Sequence, residues 1–449
     1  MSSGPWIQLP PMTREVLPNG LTILVIENHS LPLVTIRLMM RAGTSHDPGP
    51  LPGLAAFTAR LLKHGAGVRD SKQYANDLDF IGGMVGASVG LDQMGVDGEF
   101  TTATWDEGLE LFFDTLLEPR FDEAEIERER ARGIAEIAQS RDEPDHVADR
   151  AFQFYVFGEG RHPYGHPPEG TVASMNAMTR ADLVRFHRED MVPDGSVLVV
   201  IGDVDSETTA KRLAARLSQW KSAGAIPALP ADAPRLAERR CVLVHDAGSG
   251  QAQYRMGNIG LKRLTPHYHA LLVANTVFGG GFTSRLVNEV RVNRGLTYGI
   301  GSRFLLPLTP GPFLISSFTR NEKIGEMHEV VTSLLATLHR DGLSDDDVSS
   351  AKAYLLGQQV RRLELPEALA GAIADTELLG IGVSSITDFR AQVDAVDSAA
   401  CHRAIEAAYP GEDVVTVLVG DKGEIGEAAA AFGTLSVVDA DFAEGVGRS

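Results

Sequence analysis

Hydrophobic residues recur along this chain with two periods, about 2 and about 3.6, and the switches between them mark its elements. Leu21–Glu27 follows Asn19-Gly20 and predicts a strand leaving a tight turn. Leu33–Arg41 predicts a second strand. Apolar Leu54, Phe57, Leu61 and Leu62 then fall at helical spacing, so Leu54–Gly65 predicts a helix stopped by its glycine. Ser71–Ile81 predicts another helix, ending at Gly82-Gly83. Val85–Val89 and Met94–Thr102 alternate as paired strands do. Trp105–Leu117 is amphipathic at helical period, and Asp122–Ser140 is a long charged helix with Glu/Arg pairs one turn apart. His162-Pro163-Tyr164-Gly165 is a loop by composition, followed by a helix at Thr179–His187. Gly195–Gly202 is almost wholly apolar and predicts a strand buried on both faces.

After Lys221–Arg235, rich in Ala and Pro, the order repeats. Cys241–His245 is a strand, Tyr268–Phe278 a helix reaching Gly279-Gly280-Gly281, and Gly295–Arg303 and Phe313–Phe318 are strands. The helices Glu326–Arg340 and Asp345–Leu363 follow, then Ser398–Tyr409 and the strand Val414–Gly420. Asp194–Asp203 closes on Val-Leu-Val-Val-Ile-Gly-Asp and Val414–Asp421 on Val-Thr-Val-Leu-Val-Gly-Asp, with Glu125–Ile137 and Asp347–Gln359 at matching distances before them. A period of about 220 residues means duplicated domains, since solenoid units are far shorter. The expected organisation is one domain at 13–222, a linker at 223–238, a second domain at 239–435 and a tail at 436–449. Hairpin-like strands with helices grouped between them predict an α+β class for each half.

At 449 residues two domains are also what chain length demands. A formal net charge of −19 argues against nucleic acid or an anionic membrane as partner, and leaves unfolded or cationic peptides compatible. The two cysteines, Cys241 and Cys401, supply neither a disulfide framework nor a thiolate cluster for metal, and read as buried thiols. No run of 18 apolar residues is present. Met-Ser-Ser-Gly-Pro-Trp lacks the regions of a signal peptide, which points to the cytoplasm, or to the periplasm if the N-terminus was trimmed.

Met39-Met40-Arg41-Ala42-Gly43-Thr44 with Leu54–Gly65 resembles one segment of a known family, the pitrilysin, insulinase and mitochondrial processing peptidase group of inverted zinc peptidases. The resemblance runs from Leu17-Pro18-Asn19-Gly20 to Val419-Gly420-Asp421. It implies two like-folded halves, each a mainly antiparallel sheet with helices on one face. In that family the helix at Leu54–Gly65 carries His-x-x-Glu-His. Laid onto this chain, those positions are Ala56, Ala59 and Arg60, and the third ligand falls at Glu136. Catalytic zinc needs three protein ligands, an open position for water and a base to activate it. Two methyl groups and a fixed guanidinium supply none of these, so this chain is expected to hold no zinc. Glu136 is then an ordinary helix-face carboxylate, available to pair with Arg60. No other His-Glu-x-x-His or His-x-x-Glu-His occurs. His162 and His166 are separated by proline, His267 and His269 diverge on a helix, and His64 has only Arg60 at four residues. All are read as loop or surface histidines.

Phe278–Tyr298 carries a Gly-rich turn, Ser-Arg-Leu and then Arg-x-x-x-Gly-Leu-x-Tyr, which resembles the family's second domain. The family's Arg and Tyr that reach towards substrate match Arg291 and Tyr298. An arginine fork can take a carboxylate or peptide carbonyls, and a tyrosine hydroxyl can donate to a developing oxyanion. On the residues alone, Arg291 could equally pair at a helix end and Tyr298 sit in a strand core. Gly279–Gly281 lacks the Gly-Lys-Ser/Thr of a phosphate loop and reads as a bend of close backbone approach.

The family includes two-chain peptidases in which one subunit carries zinc and its zinc-less paralogue supplies the Arg/Tyr pair. The resemblance implies that second kind of subunit: inactive alone, without cofactor, with zinc in a homologous partner and unfolded peptide as substrate. A non-enzymatic scaffold of the same fold is the alternative, and an autonomous zinc peptidase a further one. Whether the isolated chain forms a homodimer stays open.

Overall fold

The structure is a computed structural model and describes residues 6–443. The first sheet contains β1 (Met12–Val16), β2 (Thr22–Glu27), β3 (Leu33–Met40), β4 (Met84–Val89), β5 (Met94–Thr101) and β6 (Val197–Gly202), in spatial order β1-β2-β6-β3-β5-β4. The second contains β7 (Arg240–His245), β8 (Gln251–Ile259), β9 (Ile300–Phe304), β10 (Pro312–Arg320), β11 (Val415–Gly420) and β12 (Thr434–Val438), in order β12-β7-β11-β8-β10-β9. The two orders match strand for strand except at one edge. There β1 enters antiparallel to β2, whereas β12 arrives from the far end of the chain and pairs in parallel with β7. Both sheets are mostly antiparallel, which fits the expected α+β class. β12 also carries Ser436–Val438 of the expected tail into the sheet. Residues 444–449 of that tail lie outside the described residues.

Among the described residues there are fifteen α-helices, α1 (Leu54–Leu61), α2 (Ser71–Phe80), α3 (Trp105–Leu117), α4 (Glu123–Ser140), α5 (Pro144–Val156), α6 (Val172–Ala177), α7 (Arg180–Glu189) and α8 (Ser206–Leu217) in the first half. The second half has α9 (Tyr268–Asn275), α10 (Ile324–Asp341), α11 (Asp345–Arg362), α12 (Pro366–Leu378), α13 (Ser384–Asp394), α14 (Ser398–Ala408) and α15 (Lys422–Ala430). Among the described residues no helix is long and apolar enough to cross a membrane.

The chain forms two compact units, and neither is continuous in sequence. Of the described residues, one takes 6–135, 168–229 and 359–390; the other takes 136–167, 230–358 and 391–443. Each half lends the other's sheet a helix that opens on proline, where a missing N–H costs nothing. In the first unit α12 lays Ala370, Ile373, Ala374 and Leu378 on Leu24, Ile26, Val197, Val199 and Ile201, the residues on one face of β2 and β6. In the second unit α5 packs on β8 and β11. Arg255 of β8 fixes it there. This guanidinium is 2% exposed and donates to Asp149, to Asp145 Oδ1 (2.6 Å) and to the carbonyls of Tyr254 (3.1 Å) and Ser317 (3.3 Å). A buried charge is tolerated only when its hydrogen bonds are met in this way.

Candidate functional site

Within the first unit, α1 begins at Gly53, whose φ of 89° is left-handed. A side chain there would meet Gly170 Cα at 2.6 Å, so the cap must come from elsewhere. Buried Asp47 supplies it, accepting from the N–H groups of Gly53 and Ala55 at 2.7 Å each. Burial pushes its carboxyl up to about 8, against the pull of those two donors.

On the helix so placed, Ala56 is half-buried and Ala59 is 6% exposed. The Arg60 guanidinium extends to α4. Its Nη1 lies 3.8 Å from Glu129 Oε2 and 3.9 Å from where a Cβ on Gly133 would stand. Glu129, buried and missed in the sequence, is therefore a carboxylate set beside Arg60. Glu136 is half-buried about two turns further along the same helix. His64 is not a surface histidine, because α4 covers it. Its Nδ1 accepts from Arg128 Nη2 (3.0 Å), which leaves the proton on Nε2, facing Glu129 Oε1 at 3.6 Å. Glu125 Oε2 stands 3.5 Å from Nδ1, and burial lowers the imidazole pKa. Arg60 and Arg128 thus face Glu125 and Glu129 around this imidazole. Among the described residues no group of three or more His, Cys, Asp or Glu could hold a metal ion.

The remaining histidines divide. His166 is buried, contrary to a surface reading, with Nε2 3.0 Å from the Gly160 carbonyl. His162 stacks on Phe157, and its Nε2 lies 2.8 Å from the Ala231 carbonyl. Cys241 and Cys401 are buried as expected, their thiols pushed up to about 12 and about 11.

In the second unit the Gly-rich turn is the close approach its composition suggests: a Cβ on Gly279 would meet Ser302 Oγ of β9 at 2.3 Å. Around it the chain forms two π-helical segments, Thr276–Gly280 and Val287–Asn293. Such segments are rare and recur at functional sites. Arg291 lies on the second. Its guanidinium carbon is 5.0 Å from the Tyr298 ring centre and 5.2 Å from that of Phe282. Tyr298 is 80% exposed just before β9, not in a strand core, and Phe282 is 74% exposed. Arg285 pairs with Asp347 (2.8 Å) and Arg294 with Glu289 (2.8 Å), whereas Arg291 makes no ion pair among the described residues. The structure brings Arg291 and Tyr298 together and adds Phe282. Its only sequence signal was a large apolar residue directly after three glycines.

One buried titratable group was also missed. His328 of α10 bonds the Tyr254 hydroxyl through Nδ1 (3.0 Å) and stacks on Phe432 at 3.8 Å. Burial, reinforced by the Arg239 charge, lowers its pKa to about 4. The folded chain therefore keeps His328 neutral while the unfolded chain takes a proton below about 6.5, so stability is lost as pH falls from 6.5 towards 4. Relative to His328→Gln, the wild type should lose about 2–3 kcal/mol between pH 7 and pH 4.5, measured by urea unfolding of both at each pH.

The chain matches the family described as Insulinase (Peptidase family M16) over residues 22–160, and the Peptidase M16 inactive domain over 177–355. With two sheets of matching order, this chain belongs to the M16, or insulinase, peptidase family. An uncharacterized zinc protease of Streptomyces coelicolor is 27% identical over 393 residues, covering 85% of this chain and 84% of the relative. One from Bacillus subtilis is 24% identical, covering 82% and 88%. Among solved structures, a peptidase M16 inactive domain from Pseudomonas fluorescens has a TM-score of 0.85 at 24% identity, covering 92% of this chain and 98% of that one. A protease from Helicobacter pylori has a TM-score of 0.80 at 20% identity, covering 92% and 100%. These structural likenesses speak for the fold.

Proposed function

We propose that this chain is the zinc-less, substrate-binding subunit of a two-chain M16 peptidase. It docks on a homologue bearing His-x-x-Glu-His and contributes Arg291 and Tyr298 to cleavage of unfolded peptides. The observation that carries the reading is the contrast between two arginines. Arg60 puts a fixed positive charge beside the buried Glu129, on the helix where the family holds its ion. Arg291 has no carboxylate partner among the described residues and lies beside two exposed rings. The first feature supports silence in this chain and the second supports contact with a ligand. The zinc, and the water it activates, would belong to the partner.

The experiment is a mixing series with an unfolded peptide as substrate. This chain alone should show no cleavage, and the zinc-bearing homologue should gain activity when the two are combined in equal amounts. Cleavage by this chain alone, or no change on mixing with a homologue that demonstrably binds it, would remove the proposal.

A further inference from the structure

Three large apolar side chains stand in solvent within one short stretch of the second unit: Phe282 at 74% exposure, Val292 at 66% and Tyr298 at 80%. A folded chain has no stability reason to expose so many together, and such clusters mark contact surfaces. Arg291 lies among them. An aromatic ring attracts a guanidinium through its face, which leaves the in-plane N–H groups free to bind a carboxylate. The neighbouring Arg285 and Arg294 already hold carboxylates of this chain, and among the described residues Arg291 does not. The unmet need at this place is an anion, and what flanks it is apolar on two sides.

We infer that Phe282, Arg291 and Tyr298 form a selective peptide site that takes an internal acidic residue flanked by large apolar side chains. The carboxylate is held by the Arg291 fork, and the flanking side chains cover the Phe282 and Tyr298 rings. Phe282 is then a specificity-determining residue. The inference rests on the substrate-binding role proposed above and names the class of peptide that role would favour. Both rings matter to the assignment: an anion alone would need only the arginine, and an apolar segment alone would gain nothing from an uncompensated charge between its contacts. The site must also draw acidic segments to a chain whose net charge is −19, so the local guanidinium has to outweigh a repulsive background that salt screens.

The test uses the full chain and short fluorescent Gly/Ser-rich peptides, amidated at the C-terminus and read by anisotropy. A peptide with a central Phe-Glu-Phe should bind about tenfold more tightly than its Phe-Gln-Phe analogue, as expected for a charge-assisted pair. Arg291→Gln should bring that ratio to about one, and Phe282→Ala should weaken the Phe-Glu-Phe peptide about fivefold. Equal binding of the Glu and Gln peptides, or wild-type binding by Phe282→Ala, would overturn the inference. So would a peptide without glutamate that binds equally well once its C-terminus is a free acid, since the site would then read chain ends. If peptides bind selectively but Arg291→Gln leaves cleavage by the mixed complex unchanged, the subunit proposal fails and the site stands. If that variant abolishes cleavage while the isolated chain shows no Glu/Gln discrimination, the subunit proposal stands and the selectivity fails.

Discussion

Arg291→Ala, placed in the mixed two-chain complex, should lower peptide turnover by about 100-fold, the scale of losing one preorganised donor from a reacting centre. Assembly should be unchanged. Arg291 makes no ion pair among the described residues, and its two ring contacts are with side chains already in solvent, so its removal takes little from the fold. Arg291→Lys should recover only a small part of the activity, because a point charge lacks the planar fork that fits a carboxylate or successive carbonyls. The measurement is kcat and KM of the complex with each variant, beside size-exclusion traces of the same mixtures. A full-rate Arg291→Ala complex would leave the second unit with no part in catalysis.

The second large effect is a gain. Replacing Ala56→His, Ala59→Glu and Arg60→His together should create a zinc site, since residues four apart on a helix share one face and the buried Glu129 carboxylate faces it. The decisive member is Arg60. The double variant Ala56→His and Ala59→Glu, which keeps the guanidinium beside Glu129, should bind no zinc. Titrating the triple variant with zinc to about 100 times its Kd should raise its unfolding free energy by about 2.7 kcal/mol, with no shift in the double variant or the wild type. Equal stabilisation of all three chains would mean that zinc acts elsewhere, and no shift in the triple variant would show that the pocket has lost more than three side chains.

Much of this fold can be read from the chain because its signals are local. The apolar runs at Val197–Gly202 and Val415–Gly420 lie in the middle of their sheets and are buried throughout. Their repetition gives the duplication directly. The exchanged helices were not legible. α5 and α12 carry ordinary amphipathic or weakly patterned sequence, and nothing local states which sheet a helix will cover. β8 escaped notice because its burial depends on Arg255, a residue that reads as surface until Asp145 and Asp149 of α5 reach it. The same limit applied at the two candidate sites. Ala56, Ala59 and Arg60 could be placed by register. That Glu129 would stand beside Arg60, with His64 drawn under α4, depends on how two helices cross. Arg291 and Tyr298 are seven residues apart on a recognisable motif, whereas Phe282 joins them only through the bend at Gly279–Gly281.

Zinc content of the wild-type chain tests the central claim most directly. The purified protein should be exposed to excess zinc, freed of unbound metal by gel filtration and analysed by plasma mass spectrometry. A guanidinium and two methyl groups at the helix predict that far less than one ion per chain is retained. One zinc retained per chain would show that this chain keeps a metal centre and is not the silent half of a pair.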